Sequence, residues 1–290
     1  MTYFRTPSLL AACLCLLVLT VTARMPVQAF EPSCPDGCAL EGSVAGSYHM
    51  AVPDGWKADP KAKDQKVLVF FHGHGGSGAG VLRNKGLVST FTKAGYVVIA
   101  PDGVLFPGRN LRGWPARPRE NSIRDDVAFT EAMLEDAANR LGTAGFDLLV
   151  SGFSSGGSMA WHFGCYSSVK PGAIVPIAGG LRRPIPEAKC PAGPRRLMHI
   201  HGFVDNQVPL EGRGIRDWHQ GDVYQGLDRL RVSNLCSSKP DALSTEGTFW
   251  CRDWTSCDSG VPIRFCLHKG GHSLPSGWAT RAMDWHQGGD

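Results

Sequence analysis

The sequence predicts an α/β fold, a mostly parallel central sheet with helices on both faces. Three observations carry that prediction. Continuous apolar runs such as Val67-Leu68-Val69-Phe70-Phe71 and Tyr96-Val97-Val98-Ile99-Ala100 read as strands buried on both faces. The segment Val81 to Ala94 between them has helical length, which makes a strand, helix, strand unit. Leu148-Leu149-Val150 then runs straight into Ser151-Gly152-Phe153-Ser154-Ser155-Gly156-Gly157, so a buried strand meets a glycine-rich turn with small residues ready to open a helix.

Taken in order, the chain begins with Arg5, an apolar stretch from Leu9 to Val21, and Val27-Gln28-Ala29 before Phe30. This is the pattern of a secretory signal peptide over residues 1–29, cleaved after Ala29. The apolar run falls short of the ~20 residues that span a bilayer, so no stable membrane insertion is expected. Leu10-Ala11-Ala12-Cys13 has the form of a bacterial lipoprotein box, but the apolar run continues well past Cys13. Removing residues 1–29 takes away Arg5 and Arg24, leaving 28 basic against 26 acidic side chains, a formal +2. No Lys/Arg run exceeds a pair, so the chain lacks the electrostatic footprint of a nucleic-acid binder.

Cysteine usage agrees with export to a secreted or periplasmic destination. Cys34, Cys38, Cys165, Cys190, Cys236, Cys251, Cys257 and Cys266 remain in the mature chain. An even number in an exported protein reads as disulfides, with Cys165 to Cys190 the preferred bridge and Cys34 to Cys38 a small ring of its own. The paired C-x2-C spacing of a structural zinc site is absent.

Residues 30–290 read as one domain without repeats or linker tracts. Gly46 to Val52 suits an antiparallel edge hairpin. After Pro101-Asp102-Gly103 a long loop from Val104 to Asn121 carries Phe106 and Trp114, the first choices for pocket walls, although core packing explains any single aromatic equally well. Ser122-Ile123-Arg124-Asp125 reads as a capping box for a helix whose apolar face is Ile123, Val127, Leu134 and Leu141. Ala173 to Ile177, Leu197 to Ile200 and Ile263 to Leu267 are further strands, with helices near Asp222 to Leu235 and Trp278 to Trp285.

The chemistry centres on Gly152-x-Ser154-x-Gly156. A serine at the tip of such a turn becomes a nucleophile if a base takes its proton, a carboxylate orients that base, and donors hold the oxyanion. Asp205 just past one strand and His272 just past the last are the candidates, in the order Ser, Asp, His. The oxyanion donors expected are the backbone amides of Ser155 and of His74, in His72-Gly73-His74-Gly75-Gly76. An ordinary turn aspartate and a loop-filling histidine are the bland readings, and the joint placement at strand ends argues against them. His199 and His201 share a strand face, but no carboxylate or cysteine falls at ligand spacing, so packed or hydrogen-bonded histidines are expected rather than a metal site. Asp125 and Asp126 are adjacent on a helix and point apart, which suits capping rather than glycoside chemistry.

With these motifs the sequence resembles the secreted α/β-hydrolase esterases grouped as polyhydroxybutyrate depolymerases and feruloyl or acetylxylan esterases. The resemblance rests on His72-Gly73, Pro101-Asp102-Gly103, Asp125-Asp126-Val127-Ala128-Phe129, Gly152 through Met159, His201-Gly202 with Asp205 and Val208-Pro209, and Gly270-Gly271-His272. It implies an α/β-hydrolase fold, Ser154 as nucleophile, Asp205 as acid, His272 as base, and a small-molecule or polymeric ester as substrate. It implies no cofactor and no metal. A short acyl or hydroxyacyl ester is the leading expectation, with plant cell-wall esters the alternative. A peptidase, or a polymer-binding relative without activity, are the other classes to separate by test.

Overall fold

The apolar runs form the middle of a ten-stranded sheet in a computed structural model, which describes residues 1–2, 34, 37–116, 123–215 and 218–289. The chain divides into two units, Met1–Phe30 and Glu31–Asp290. The expected signal peptide falls in the first, and all of it beyond Thr2 lies outside the described residues. Among the described residues no helix is long and apolar enough to cross a membrane.

The second unit starts with strands β1 (Cys38–Leu40), β2 (Gly46–Ala51) and β3 (Gln65–Phe71), helices α1 (Gly78–Arg83) and α2 (Lys85–Lys93), and β4 (Val97–Pro101). A small hairpin, β5 (Val104–Leu105) and β6 (Arg112–Gly113), precedes α3 (Asp126–Leu141), β7 (Phe146–Phe153), α4 (Ser155–Tyr166), β8 (Ala173–Ile177) and β9 (Leu197–Gly202). A second small hairpin, β10 (Gly214–Ile215) and β11 (Trp218–His219), leads to α5 (Val223–Ser233), β12 (Ala242–Glu246), β13 (Phe249–Trp254), β14 (Ile263–His268) and α6 (Trp278–His286). The large sheet runs β1-β2-β4-β3-β7-β8-β9-β14-β13-β12. Its six central strands, β4 to β14 in that order, are parallel, and antiparallel pairs extend both edges.

Strand alternation sends side chains to two cores. Val67, Val69 and Phe71 pack with residues of α3, α4 and α5, and Leu68 and Phe70 pack with residues of α1, α2 and α6. Helices therefore cover both faces, as the continuous apolar strands require. Because the central strands are parallel, their carboxyl ends share one edge, and the loops that leave it can converge on a single site.

Some local expectations change. The helix between β3 and β4 breaks at Asn84, whose side chain accepts from the Leu87 amide and so starts a second helix. The cap of α3 is Asp125, accepting from the Val127 and Ala128 amides; Ile123 precedes the helix and is exposed, while Ser122 lies outside the described residues. The β12–β13 edge hairpin was not expected, because its polar alternation around the left-handed Gly247 gives no continuous apolar run. Disulfides join Cys34 to Cys38 and Cys165 to Cys190, as expected, and also Cys236 to Cys257 and Cys251 to Cys266. The last pair links directly opposed residues of β13 and β14. Four bridges suit an oxidising compartment.

His162 in α4 reports on this packing. Its ring lies 4.6 Å from that of Tyr166. Burial, opposed by Asp125 and assisted by Arg182, pushes its pKa down from 6.5 to about 4. The unfolded chain therefore binds the extra proton first, and stability is lost as pH falls from the unfolded value toward the folded one. Between about pH 7 and about pH 5 the wild type should lose about 2 kcal/mol more stability than His162→Phe in urea titrations. Equal losses in the two proteins would contradict this.

Candidate active site

Ser154 occupies the junction between β7 and α4 with φ 59° and ψ −119°. A non-glycine residue there carries strain of about 1–3 kcal/mol, which persists only when the surroundings impose it. Here the surroundings are backbone. The Ser154 amide donates to Ile177 O of β8 at 2.9 Å, and Ser154 O accepts from the Ser158 amide at 2.9 Å. A Cβ on Gly156 would run into the Phe71 carbonyl of β3, and one on Gly152 into the Gly156 carbonyl. The glycine spacing thus exists because β3 and the turn itself pass too close for side chains.

His272 follows β14, and its ring packs 4.8 Å from the Phe153 ring, centroid to centroid. Its Nε2 lies 2.8 Å from Ser154 Oγ and its Nδ1 lies 2.7 Å from Asp205 Oδ2. A carboxylate only accepts, so the proton sits on Nδ1 and Nε2 is left to accept from the serine hydroxyl. Asp205 follows β9 in a turn where Oδ1 accepts from the Gln207 and Val208 amides, each at 2.9 Å. His201 Nε2 stands 3.4 Å from Oδ2. Burial raises the Asp205 carboxyl, but hydrogen bonds from His201, His272 and the Val208 amide, with the charge of His272, outweigh it. The group titrates far below the usual carboxylate range and is ionised at neutral pH.

The loop after β3 sits beside this line. A Cβ on Gly73 would stand 3.7 Å from Ser154 Cβ, so the loop carrying His74 borders the serine. His72 braces it: Nδ1 donates to Gly73 O at 2.7 Å and Nε2 accepts from the Gly103 amide at 2.9 Å. That bonding fixes a neutral ring, and burial pushes its pKa down. The Ser155 amide opens α4, where helical geometry provides no intrahelical acceptor and the helix dipole favours negative charge.

Phe106 is half-buried, its ring 5.9 Å from that of His74. Trp114 is different from the expectation. It is fully buried, packed edge-on against Phe71, and its Nε1 donates to His72 O at 2.9 Å. It anchors the loop under the site and presents no face to a substrate, because an indole of that size gains more from the core than from a rim.

Two contributors have no role assigned by the sequence. Arg182 donates to Ser155 Oγ at 3.0 Å and to the Trp114 and Pro115 carbonyls, and it lies over the Trp218 ring at 4.9 Å. It ties the helix-opening residue to the loop after β6. Asp102 accepts from the Gly78 amide and the Ser47 hydroxyl, each at 2.8 Å, and fixes the end of β4 beside His72. The Pro101-Asp102-Gly103 motif pointed at Asp102, whereas a lone arginine after a strand carries no pattern.

No protein-family model matches the chain. Feruloyl esterase C of Emericella nidulans is 25% identical over 276 residues, spanning 91% of this chain and 92% of that protein. A probable feruloyl esterase C of Aspergillus niger is 23% identical over 274 residues, spanning 89% and 90%. Among solved structures, the acetyl xylan esterase from Aspergillus awamori superposes with a TM-score of 0.56 at 14% identity, covering 87% of this chain and 98% of that one, a likeness of fold. The fold and the relatives that match nearly end to end make the chain a carboxylic ester hydrolase of the α/β-hydrolase fold, similar over most of its length to feruloyl esterase C.

Proposed function

We propose that the chain is a secreted serine esterase in which Ser154 is the nucleophile, His272 the general base and Asp205 the acid that orients it. The observation that carries this reading is the unbroken line from Ser154 Oγ through His272 to Asp205 Oδ2, with links of 2.8 and 2.7 Å. Residues 1–29 would be removed on export, leaving residues 30–290 as one catalytic domain.

In the first half-reaction Ser154 Oγ attacks the ester carbonyl carbon while its proton passes to His272 Nε2. Asp205 stabilises the imidazolium. The carbonyl oxygen becomes an oxyanion that the Ser155 and His74 amides would hold. Collapse breaks the bond to the alcohol oxygen, which leaves with the proton from His272, and the acyl group stays on Ser154. Water then gives a proton to His272 as it attacks. The second collapse releases the acid and returns the proton to Ser154. The steps use only this chain's own groups and call for no cofactor or metal.

Relatives named feruloyl esterase C favour an aromatic acyl ester of a cell-wall polysaccharide as the substrate, and half-buried Phe106, its ring 5.9 Å from that of His74, is the side chain we assign to meet the acyl ring. A short hydroxyacyl ester, as in a polyhydroxybutyrate depolymerase, is the second reading, because the run from Gly152 to Met159 belongs to the resemblance to both groups.

Three outcomes follow. Ser154→Ala should abolish turnover of a short p-nitrophenyl ester with thermal unfolding unchanged, and undiminished turnover would sink the assignment. Asp205→Asn, which leaves the wrong tautomer on His272, should lower kcat by roughly three to four powers of ten; a loss of only a few-fold would deny Asp205 its role. In a panel of a feruloyl ester, a hydroxybutyrate oligomer, acetylated xylan and the matching amide, the feruloyl ester should give the highest kcat/KM. A preference for the hydroxybutyrate oligomer would transfer the assignment to the second reading, and cleavage of the amide at a comparable rate would indicate a peptidase.

A further inference from the structure

A line of hydrogen bonds that the acyl-transfer steps do not use runs behind Asp205. His199 and His201 lie two apart on β9, so their side chains share a face, and both are completely buried. Trp161 of α4, 1% exposed, donates its indole Nε1–H to His199 Nδ1 at 3.0 Å. His199 Nε2 lies 2.9 Å from His201 Nδ1. His201 Nε2 lies 2.8 Å from Val208 O and 3.4 Å from Asp205 Oδ2. The Phe265 ring stacks on His199 at 5.8 Å and closes the line from the side.

The protons along this line follow from donor chemistry. Indole Nε1 can only donate, so His199 Nδ1 is a bare acceptor. A ring bare at Nδ1 holds its proton on Nε2, which donates to His201 Nδ1. That nitrogen is bare in turn, and His201 holds its proton on Nε2, facing two groups that only accept: the Val208 carbonyl and the Asp205 carboxylate. A positive charge on either ring would put two protons into one link. Burial, with the neighbouring His201, also holds the His199 imidazole well below its ordinary pKa. Every ring nitrogen on the line has a partner, which leaves none for a metal ion.

We propose that Trp161, His199 and His201 form a positioning chain that keeps His201 neutral and aims its Nε2–H at Asp205, thereby setting the carboxylate that receives His272. The proposal rests on the reading of Asp205 as the acid of the site. Two backbone amides already hold Oδ1, and a fixed donor at Oδ2 stops the carboxylate from turning about its last bond. A neutral donor does this without cancelling the charge that the His272 imidazolium needs. A charged His201 would compete with His272 for that charge. The indole, which can only donate, sets the direction of the line at one end, as the Val208 carbonyl, which can only accept, does at the other.

Nitrogen-15 spectra of the histidine-labelled wild type test the proton arrangement without reference to activity. At about pH 8 His199 and His201 should both appear as Nε2–H tautomers, and His199 should stay so as the pH is lowered through the range where a free imidazole titrates. Either ring as the Nδ1–H tautomer would overturn the proposal. His201→Leu should lower kcat on a short ester about tenfold or more with KM nearly unchanged, the cost of a misaimed acid. His201→Gln, which keeps a donor near the position of Nε2, should restore most of that loss. Trp161→Phe leaves His199 Nδ1 without its donor and the ring without that anchor, so kcat should fall, and it supplies the kinetic test if His201→Leu does not fold. Folded His201→Leu or Trp161→Phe with wild-type kcat would refute the positioning role. A wild type without esterase turnover would instead remove the assignment of Ser154, and the nitrogen spectra would still decide where the protons lie.

Discussion

The backbone of Ser154, held at φ 59° between the last residue of β7 and the first of α4, is the constraint on which the rest of the arrangement depends. An L-residue does not adopt that conformation without reinforcement. The neighbouring strands provide it: β3 passes so close that position 156 must be glycine, and β8 takes up the Ser154 amide. Parallel order in the middle of the sheet therefore does more than bury apolar side chains. It brings three strand ends to one edge, where the turns after β7, β9 and β14 deliver a hydroxyl, a carboxylate and an imidazole within hydrogen-bond reach.

A second theme is how the site keeps its charged and neutral members apart. Asp205 collects donors on both oxygens and stays ionised despite burial. His72, with a backbone donor on one nitrogen and a carbonyl on the other, stays neutral while bracing the loop that carries His74. For His72 both partners are main-chain groups whose donor or acceptor role cannot change. For Asp205 the Gln207 and Val208 amides act together with the rings of His201 and His272.

Much of this was legible in the sequence because it depends on backbone rules. Continuous apolar runs located the buried strands, and Gly152, Ser154 and Gly156 marked the turn, since only close backbone approach requires that spacing. Asp205 and His272 were legible as residues just past strands. The β12–β13 hairpin was not, because an edge strand with alternating polar residues leaves no continuous run. The burial of Trp114 is not legible for a related reason: the sequence puts its loop at the right edge of the sheet, but nothing in it says whether an aromatic on a loop turns outward or inward. Arg182 escaped notice because long-range contacts between a single arginine and backbone carbonyls leave no periodic trace.

The most direct measurement is peptide mapping of the wild-type protein after reaction with an active-serine phosphonate. The account predicts one stoichiometric adduct, on Ser154, formed much more slowly when His272 is replaced by alanine. A protein that stays unlabelled, or one labelled at a different serine, would contradict it.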